Sequence, residues 1–458
     1  MAGQLILGLS ILVTLHEFGH FITAKWFKMR VDKFYLFFDF LFPIPTVLNF
    51  ALFKKKVGDT EYGLGWFPLG GYVSIAGMID ETQDAATLAK EPEPWEFRAK
   101  PAYQRLIVML GGVIVNVITG VVIFICLTYS NGNNFISKEE LNKNGIVALD
   151  LAKQIGLQTG DRIIKVNGAD YHSLSDLRSS DVLLGENSSY TVLRGGQQID
   201  IKIPSNFIEK LSDKKAGFIE PIAAFKVAEV ATPNPPSTID KLFGKKSEEM
   251  LPAFAAGLRV GDQITAVNQT PIHFYHEMKD IVQKEAGRSI RVAIMRGNQV
   301  DTLEMVVAKS GQIGFFPELL IKVSHQDYTL GESLGIGTSR AFSVITDNIR
   351  GFKKIASGDV SASKALSGPI GIAQMFGGVW DWTRFWMLTG LLSMALAFMN
   401  ILPIPALDGG HAVFLIYEMI TGKPASDKVL ERAQQVGMLI LLALMAYTFG
   451  NDIFKAFF

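Results

Sequence analysis

The stretch ILVTLHEFGHFITAKWF, Ile11–Phe27, sets two imidazoles and a carboxyl group inside an apolar run. On a helix, residues i and i+4 share a face. His16 and His20 therefore aim ring nitrogens at one point, with Glu17 beside them. His-Glu-x-x-His is a zinc hydrolase pattern, in which the imidazoles bind Zn²⁺ and the glutamate takes a proton from water. The bare five-residue pattern also arises by chance in soluble proteins. Here it sits in a segment apolar enough for a bilayer, where each ionisable group costs on the order of 3 kcal/mol. Three such groups together imply a metal or a water-filled cavity. A catalytic zinc needs a third protein ligand and an open position for water, and it brings that water's pKa toward ~7.

The third ligand is sought among the remaining acids and histidines. His172, His273, His276 and His325 fall in a long polar segment, and HFYHEMKD lacks metal-site spacing. One apolar stretch stands out, NILPIPALDGGH, Asn400–His411. Pro403 and Pro405 break a helix, since each lacks an N–H and clashes with the preceding turn. Irregular backbone at membrane depth is tolerated where it lines a cavity. Asp408, the acid of that region, is read as the third ligand, with His411 as a rival. Asn400 offers an amide N–H to a developing oxyanion, or else an interhelical hydrogen bond.

The elements that must position these groups are membrane helices. The chain has 458 residues, 48% of them apolar, and a formal net charge of zero; its mean hydropathy is +0.25. Nothing in that balance points to nucleic acid. Cys126 is the single cysteine, which excludes an intramolecular disulfide and a Cys-based zinc site. A span needs about 20 mostly apolar residues. Four stretches qualify: Leu5–Trp26, Leu106–Tyr129, Phe385–Leu407 and a fourth around Gly437–Phe449, extended to about 433–453. No Lys or Arg precedes Lys25, so the first is read as a retained span rather than a signal peptide. Basic residues cluster after span one (Lys25, Lys28, Arg30, Lys33), before span two (Arg98, Lys100, Arg105) and between spans three and four (Lys423, Lys428, Arg432). Four crossings put all three clusters on one side, the cytoplasmic one. Both termini and the long segment after span two then lie outside. Arg350, Lys353 and Lys354 run against this rule and are assigned to an interfacial helix, SVITDNIRGFKKIA.

That long segment contains a duplication. GLQTGDRIIKVNG (Gly156–Gly168) and GLRVGDQITAVNQ (Gly257–Gln269) share Gly-Leu-x-x-Gly-Asp-x-Ile-x-x-Val-Asn. In each, Gly-Asp begins a tight turn, an alternating strand follows, and Asn closes it. Both copies resemble the core of PDZ domains, which commonly take an extended peptide as an added strand; rigid spacers are the alternative.

Together, HEFGH, NILPIPALDGG and the intervening pair of PDZ-like repeats resemble the site-2 protease family of intramembrane zinc metalloproteases, in its bacterial RseP (regulator of sigma-E protease) branch. FPLGGYVSIAG (Phe67–Gly77) is similar to the family's membrane-re-entrant hairpin, and LSGPIGIA (Leu366–Ala373) to the segment before span three. The resemblance covers nearly the whole chain. It implies one Zn²⁺ held by His16, His20 and Asp408, water activation by Glu17 and oxyanion stabilisation by Asn400. It implies cleavage of transmembrane segments in pre-trimmed single-pass proteins, anti-sigma factors and signal-peptide remnants, in a bacterial cytoplasmic membrane. Gly65, Trp66, Phe67, Gly70, Gly71 and Tyr72 would bind substrate at a strand edge, and Asn116 would contact the unwound strand or else another helix. Many relatives carry Gly-Pro-x-x-Asn in span two; this chain reads GGVIVN, with Val113 at the proline position.

The expected fold class is therefore a polytopic α-helical membrane protein with a membrane-associated β-hairpin and two tandem extracytoplasmic PDZ-like domains. The N-terminal membrane part would span 1–129, with the hairpin at about 61–78. PDZ-like domains would span 130–225 and 226–325, a linker with the interfacial helix 326–383, and the C-terminal membrane part 384–458. Two rivals stand beside this. One is a His-Glu-x-x-His membrane protease acting on unfolded soluble chains, with Glu81, Glu91, Glu93 or Glu96 as its ligand. The other is a non-catalytic PDZ scaffold.

Overall fold

The computed structural model describes residues 1–40, 49–68, 70–78, 91–211, 217–232 and 252–457. The chain divides into two compact units, Met1–Asn133 with Gln326–Phe458, and Asn134–His325.

The first unit holds helices α1 (Ala2–Trp26), α2 (Ala102–Asn131), α3 (Leu330–Ala356), α4 (Pro369–Met375), α5 (Trp382–Ile401), α6 (Asp408–Thr421) and α7 (Asp427–Phe457). Among the described residues α1, α2, α5 and most of α7 are long and apolar enough to cross a membrane. Helix α2 is the hub, packed by α1, α3, α5 and α6. Its closeness to α1 depends on glycine. A Cβ on Gly19 would strike the Gly111 carbonyl, and one on Gly111 would fall 2.5 Å from the Gly19 carbonyl oxygen. Small residues let membrane helices approach this way.

Helix α5 stops at Ile401 just before the prolines, and Ala406 takes φ +146°, a strained backbone for a residue with a Cβ. A separate helix, α6, then starts at Asp408 rather than the span running on to 407 as expected. Gly409 and Gly410 explain the tight return, since a Cβ on either would collide with carbonyls at Ile401–Leu402 or Ile404. Helix α3 begins at Leu330, well before the expected interfacial helix, and its Thr329–Glu332 capping box fixes that start.

The same unit carries a four-stranded sheet: β1 (Val31–Leu36), β2 (Ala51–Val57), β3 (Thr60–Gly65) and β4 (Tyr72–Ile75), in the order β2-β3-β1-β4. This corrects the expected hairpin at 61–78. Strands β3 and β4 do not pair with each other; β1 lies between them, parallel to β3 (Tyr35 opposite Gly63) and antiparallel to β4 (Tyr35 opposite Tyr72). The true hairpin joins β2 to β3 through Gly58 at φ +60°. The physical reason is local: VDKFYL offers a better buried central strand, with Val31 and Tyr35 fully covered. Much of the 34–56 stretch is thus sheet, while 41–48 lie outside the described residues.

The second unit repeats one β design. Strands β5 (Arg162–Val166), β6 (Ser189–Arg194) and β7 (Gln197–Lys202) form an antiparallel sheet around a core that includes Ile163, Tyr190 and Phe207. Strands β8 (Gln263–Val267), β9 (Thr270–Pro271), β10 (Ser289–Arg296) and β11 (Gln299–Val306) form another, around Phe225, Ile264 and Val292. The duplication reaches side-chain detail. Asp161 pairs with Arg194 and Asp262 with Arg296, each Nη2–Oδ2 contact being 2.7 Å. Asn167 and Asn268 each accept a backbone N–H at 2.9 Å from the next long strand.

Candidate active site

Helix α1 sets His16 and His20 one turn apart, with ring centroids 4.8 Å apart and nearly perpendicular. Asp408, in the first turn of α6, brings its Oδ2 to 3.3 Å from His16 Nε2 and 3.5 Å from His20 Nε2. The two Nε2 atoms are 3.2 Å apart. These three residues form the only convergent metal-ligand group among the described residues.

The hydrogen bonds around them fix what the ring nitrogens are. His20 Nδ1 faces the Val108 carbonyl oxygen at 2.8 Å, so Nδ1 carries the proton and Nε2 a lone pair. Asn400 Nδ2 lies 3.2 Å from His16 Nε2, where in the Nδ1–H tautomer of His16 the amide donates to the Nε2 lone pair. Asp408 Oδ2 is buried and makes no hydrogen bond. Three electron-pair donors thus face one another without a proton between them. Buried polar atoms are rarely left this way, and a cation at their meeting point removes the conflict. Two imidazoles and a carboxylate suit zinc. The donor set present therefore fits a metal ion.

A cavity of about 240 Å³ opens on these groups. It is lined by Glu17, by Tyr72 and Val73 of β4, and by His411, Gln434, Phe38 and Phe40. The Val73 backbone N–H points at the Glu17 carboxylate. Glu17 lines the same cavity as the ligand group and neighbours β4, the edge strand of the sheet.

Residues 4–444 match peptidase family M50. The chain belongs to that family. It is a site-2-type metallopeptidase and, with four apolar helices, a multi-pass membrane protein. The chain is 27% identical to the regulator of sigma-E protease RseP of Escherichia coli, over 98% of this chain and 97% of that one. It is likewise 27% identical to the regulator of sigma E protease of Haemophilus influenzae, over 99% and 98%. A Neisseria meningitidis protein named as a candidate zinc metalloprotease is 28% identical, over 98% and 97%.

The remaining residues singled out in the sequence fall as follows. His411 lines the cavity but stands outside the convergent trio. Asn116 lies behind the imidazoles, its Nδ2 3.2 Å from His16 Nδ1. Of the six strand-edge residues, Tyr72 alone lines the cavity. Gly71 lies where a Cβ would be 3.1 Å from Val13 of α1, and Gly70 against the Phe38 ring. Trp66 stacks on Phe50, and Phe67 pairs with Phe38, and neither lines the cavity; Gly65 packs against the Phe38 backbone. Glu96 is engaged by Arg98 at 2.6 Å, and Glu81 lies outside the described residues. Sequence reasoning missed Gly112, Phe38, Phe40 and Gln434. Gly112 was signalled by the doubled glycine of GGVIVN; Gln434 had no signal, because α7 carries no motif.

Proposed function

We propose that this chain is a zinc-dependent intramembrane endopeptidase that hydrolyses peptide bonds within transmembrane segments of previously trimmed membrane proteins. The observation that carries this reading is the meeting of two imidazole lone pairs and an orphaned carboxylate oxygen at membrane-helix depth, beside a further carboxyl group. His16, His20 and Asp408 hold one zinc ion. When bound, it acts as a Lewis acid and makes water acidic enough to be used near neutral pH.

The chain's own residues do the rest. Glu17 takes the proton from water as general base. The Asn400 amide, 3.2 Å from His16 Nε2, is within reach of a carbonyl oxygen that gains charge. A helical substrate hides each carbonyl in its own hydrogen bonds, so it must unwind. Strand β4 is a sheet edge, and its Tyr72 and Val73 face the cavity; an unwound segment added there would run past Glu17. Tyr72, with the glycines Gly70 and Gly71, then guides the substrate strand.

The basic residues around the spans support an orientation with both termini and the duplicated β unit outside, and the likeness to bacterial relatives supports a cytoplasmic-membrane location. The two repeats are PDZ-like domains that admit only substrates whose outer part has been removed. Single-pass proteins such as anti-sigma factors, and signal-peptide remnants, fit that route. The test is cleavage of a designed single-pass substrate by purified protein. Glu17→Gln should lower the rate by about 10²–10⁴-fold with zinc still bound; undiminished cleavage would remove Glu17 from its role.

A further inference from the structure

The two imidazoles are held from behind by one stripe of α2. Val108, Gly112 and Asn116 recur at every fourth residue and so lie on one face. The Val108 carbonyl oxygen is 2.8 Å from His20 Nδ1. A Cβ on Gly112 would fall 2.5 Å from His20 Nε2 and 2.6 Å from His16 Nδ1, so only glycine lets the rings lie here. Asn116 closes the stripe, 1% exposed, with Nδ2 3.2 Å from His16 Nδ1 and Oδ1 without a hydrogen bond.

Donors and acceptors do not match in that arrangement once His16 serves as a ligand. A neutral imidazole that offers its Nε2 lone pair to a metal carries its proton on Nδ1. Nδ1–H and the Asn116 NH₂ are then both donors, face to face, while Oδ1 is buried and idle. A half-turn of the amide exchanges its oxygen and nitrogen and gives Oδ1 the Nδ1 proton.

We propose that Asn116 is the positioning residue for His16: its amide oxygen accepts the Nδ1 proton and so holds the ring in the tautomer and plane that ligate through Nε2. Val108 does the same for His20 with a backbone carbonyl. One helix thereby orients both ligands of another, as partners of metal-bound histidines generally do. The proposal rests on the ligand set given above. Asn116 is a positioning residue and touches no reacting atom.

The test is zinc retention by the purified full-length protein against a graded chelator. Asn116→Leu keeps the volume and removes the acceptor, so zinc affinity should fall about 10–100-fold. Asn116→Asp restores an acceptor and should hold zinc within a few-fold of wild type. A packing role alone predicts the reverse order, with leucine tolerated and aspartate harmful. The Ser393 hydroxyl bonds the Asn116 backbone oxygen at 2.7 Å, a contact that both variants retain; the metal-free melting temperature of Asn116→Leu should match wild type, while that of Asn116→Asp should fall because it adds an ionisable group inside a membrane helix. Wild-type protein carrying ¹⁵N-histidine gives a reading that needs no Asn116 variant: zinc-loaded His16 should be protonated at Nδ1. Unchanged affinity in Asn116→Leu, equal losses in both variants, or an Nε2–H signal on His16 would overturn the proposal. Loss of the ligand set itself shows differently, as zinc that persists in Asp408→Ala.

Discussion

Two kinds of aspartate shielded from solvent in this chain face opposite circumstances. In the β unit, the Asp262 side chain is 1% exposed and fully occupied. Arg296 donates to both its oxygens at 2.7 Å, and the Arg259 backbone N–H donates at 2.8 Å. Asp161 repeats the pattern with Arg194 and the Gln158 N–H. Asp408, with its side chain 16% exposed, has two imidazole nitrogens within 3.5 Å and no hydrogen bond on Oδ2. A carboxylate that the fold supplies with donors holds a turn in place. One that the fold sets against other lone pairs is kept for a cation. Their exposures differ, 1% against 16%, but it is partner chemistry that separates their roles.

That contrast can be broken from either end. On the membrane side, Gly112→Ala should have the largest effect, because its Cβ would press on both imidazoles. A displacement of that kind lowers cleavage about 10²-fold, read with the same single-pass substrate, while the melting of the β unit is unchanged. On the β side, Asp262→Ala should lower the melting temperature of that unit by roughly 5 °C, measured by hydrogen exchange in β8 and β10 of the full chain. Its zinc content should equal wild type. If Asp262→Ala loses zinc, the two aspartates are not separate in purpose.

The smallest effect is on pH dependence. The Arg296 hydrogen bonds, and then the Arg259 N–H, hold the Asp262 carboxyl below its ordinary range. A depressed folded-state value means that the stabilisation is complete above the ordinary aspartate pKa near 4. It is lost as pH falls through the lower folded value. Protection of β8 should therefore be flat from pH 5 to 8 and decline only in acid. Asp262→Asn should flatten that acid decline; an unchanged decline would assign it to other groups.

The chemistry was legible because it is written in local spacing. His16 and His20 at i and i+4 need only a helix to converge, and Pro403 and Pro405 announce the break that frees Asp408 to turn back. The duplicated Gly-Asp turn was equally plain, although its arginine partners, 33 and 34 residues downstream, were not. What stayed hidden depends on contacts between distant segments. The pairing of β1 with both β3 and β4 is a choice among strands that no local pattern makes. The Val108 carbonyl on His20 is invisible in principle, since every residue has a carbonyl. Gln434 reaches the cavity only because Gly437 lets α7 press on the Pro405 carbonyl.

The most direct measurement is zinc stoichiometry by elemental analysis of three purified proteins. Wild type and Glu17→Gln should each carry one zinc per chain, and Asp408→Ala close to none. An Asp408→Ala protein that still holds a full equivalent of zinc would contradict the account, because the cation would then owe nothing to the orphaned oxygen.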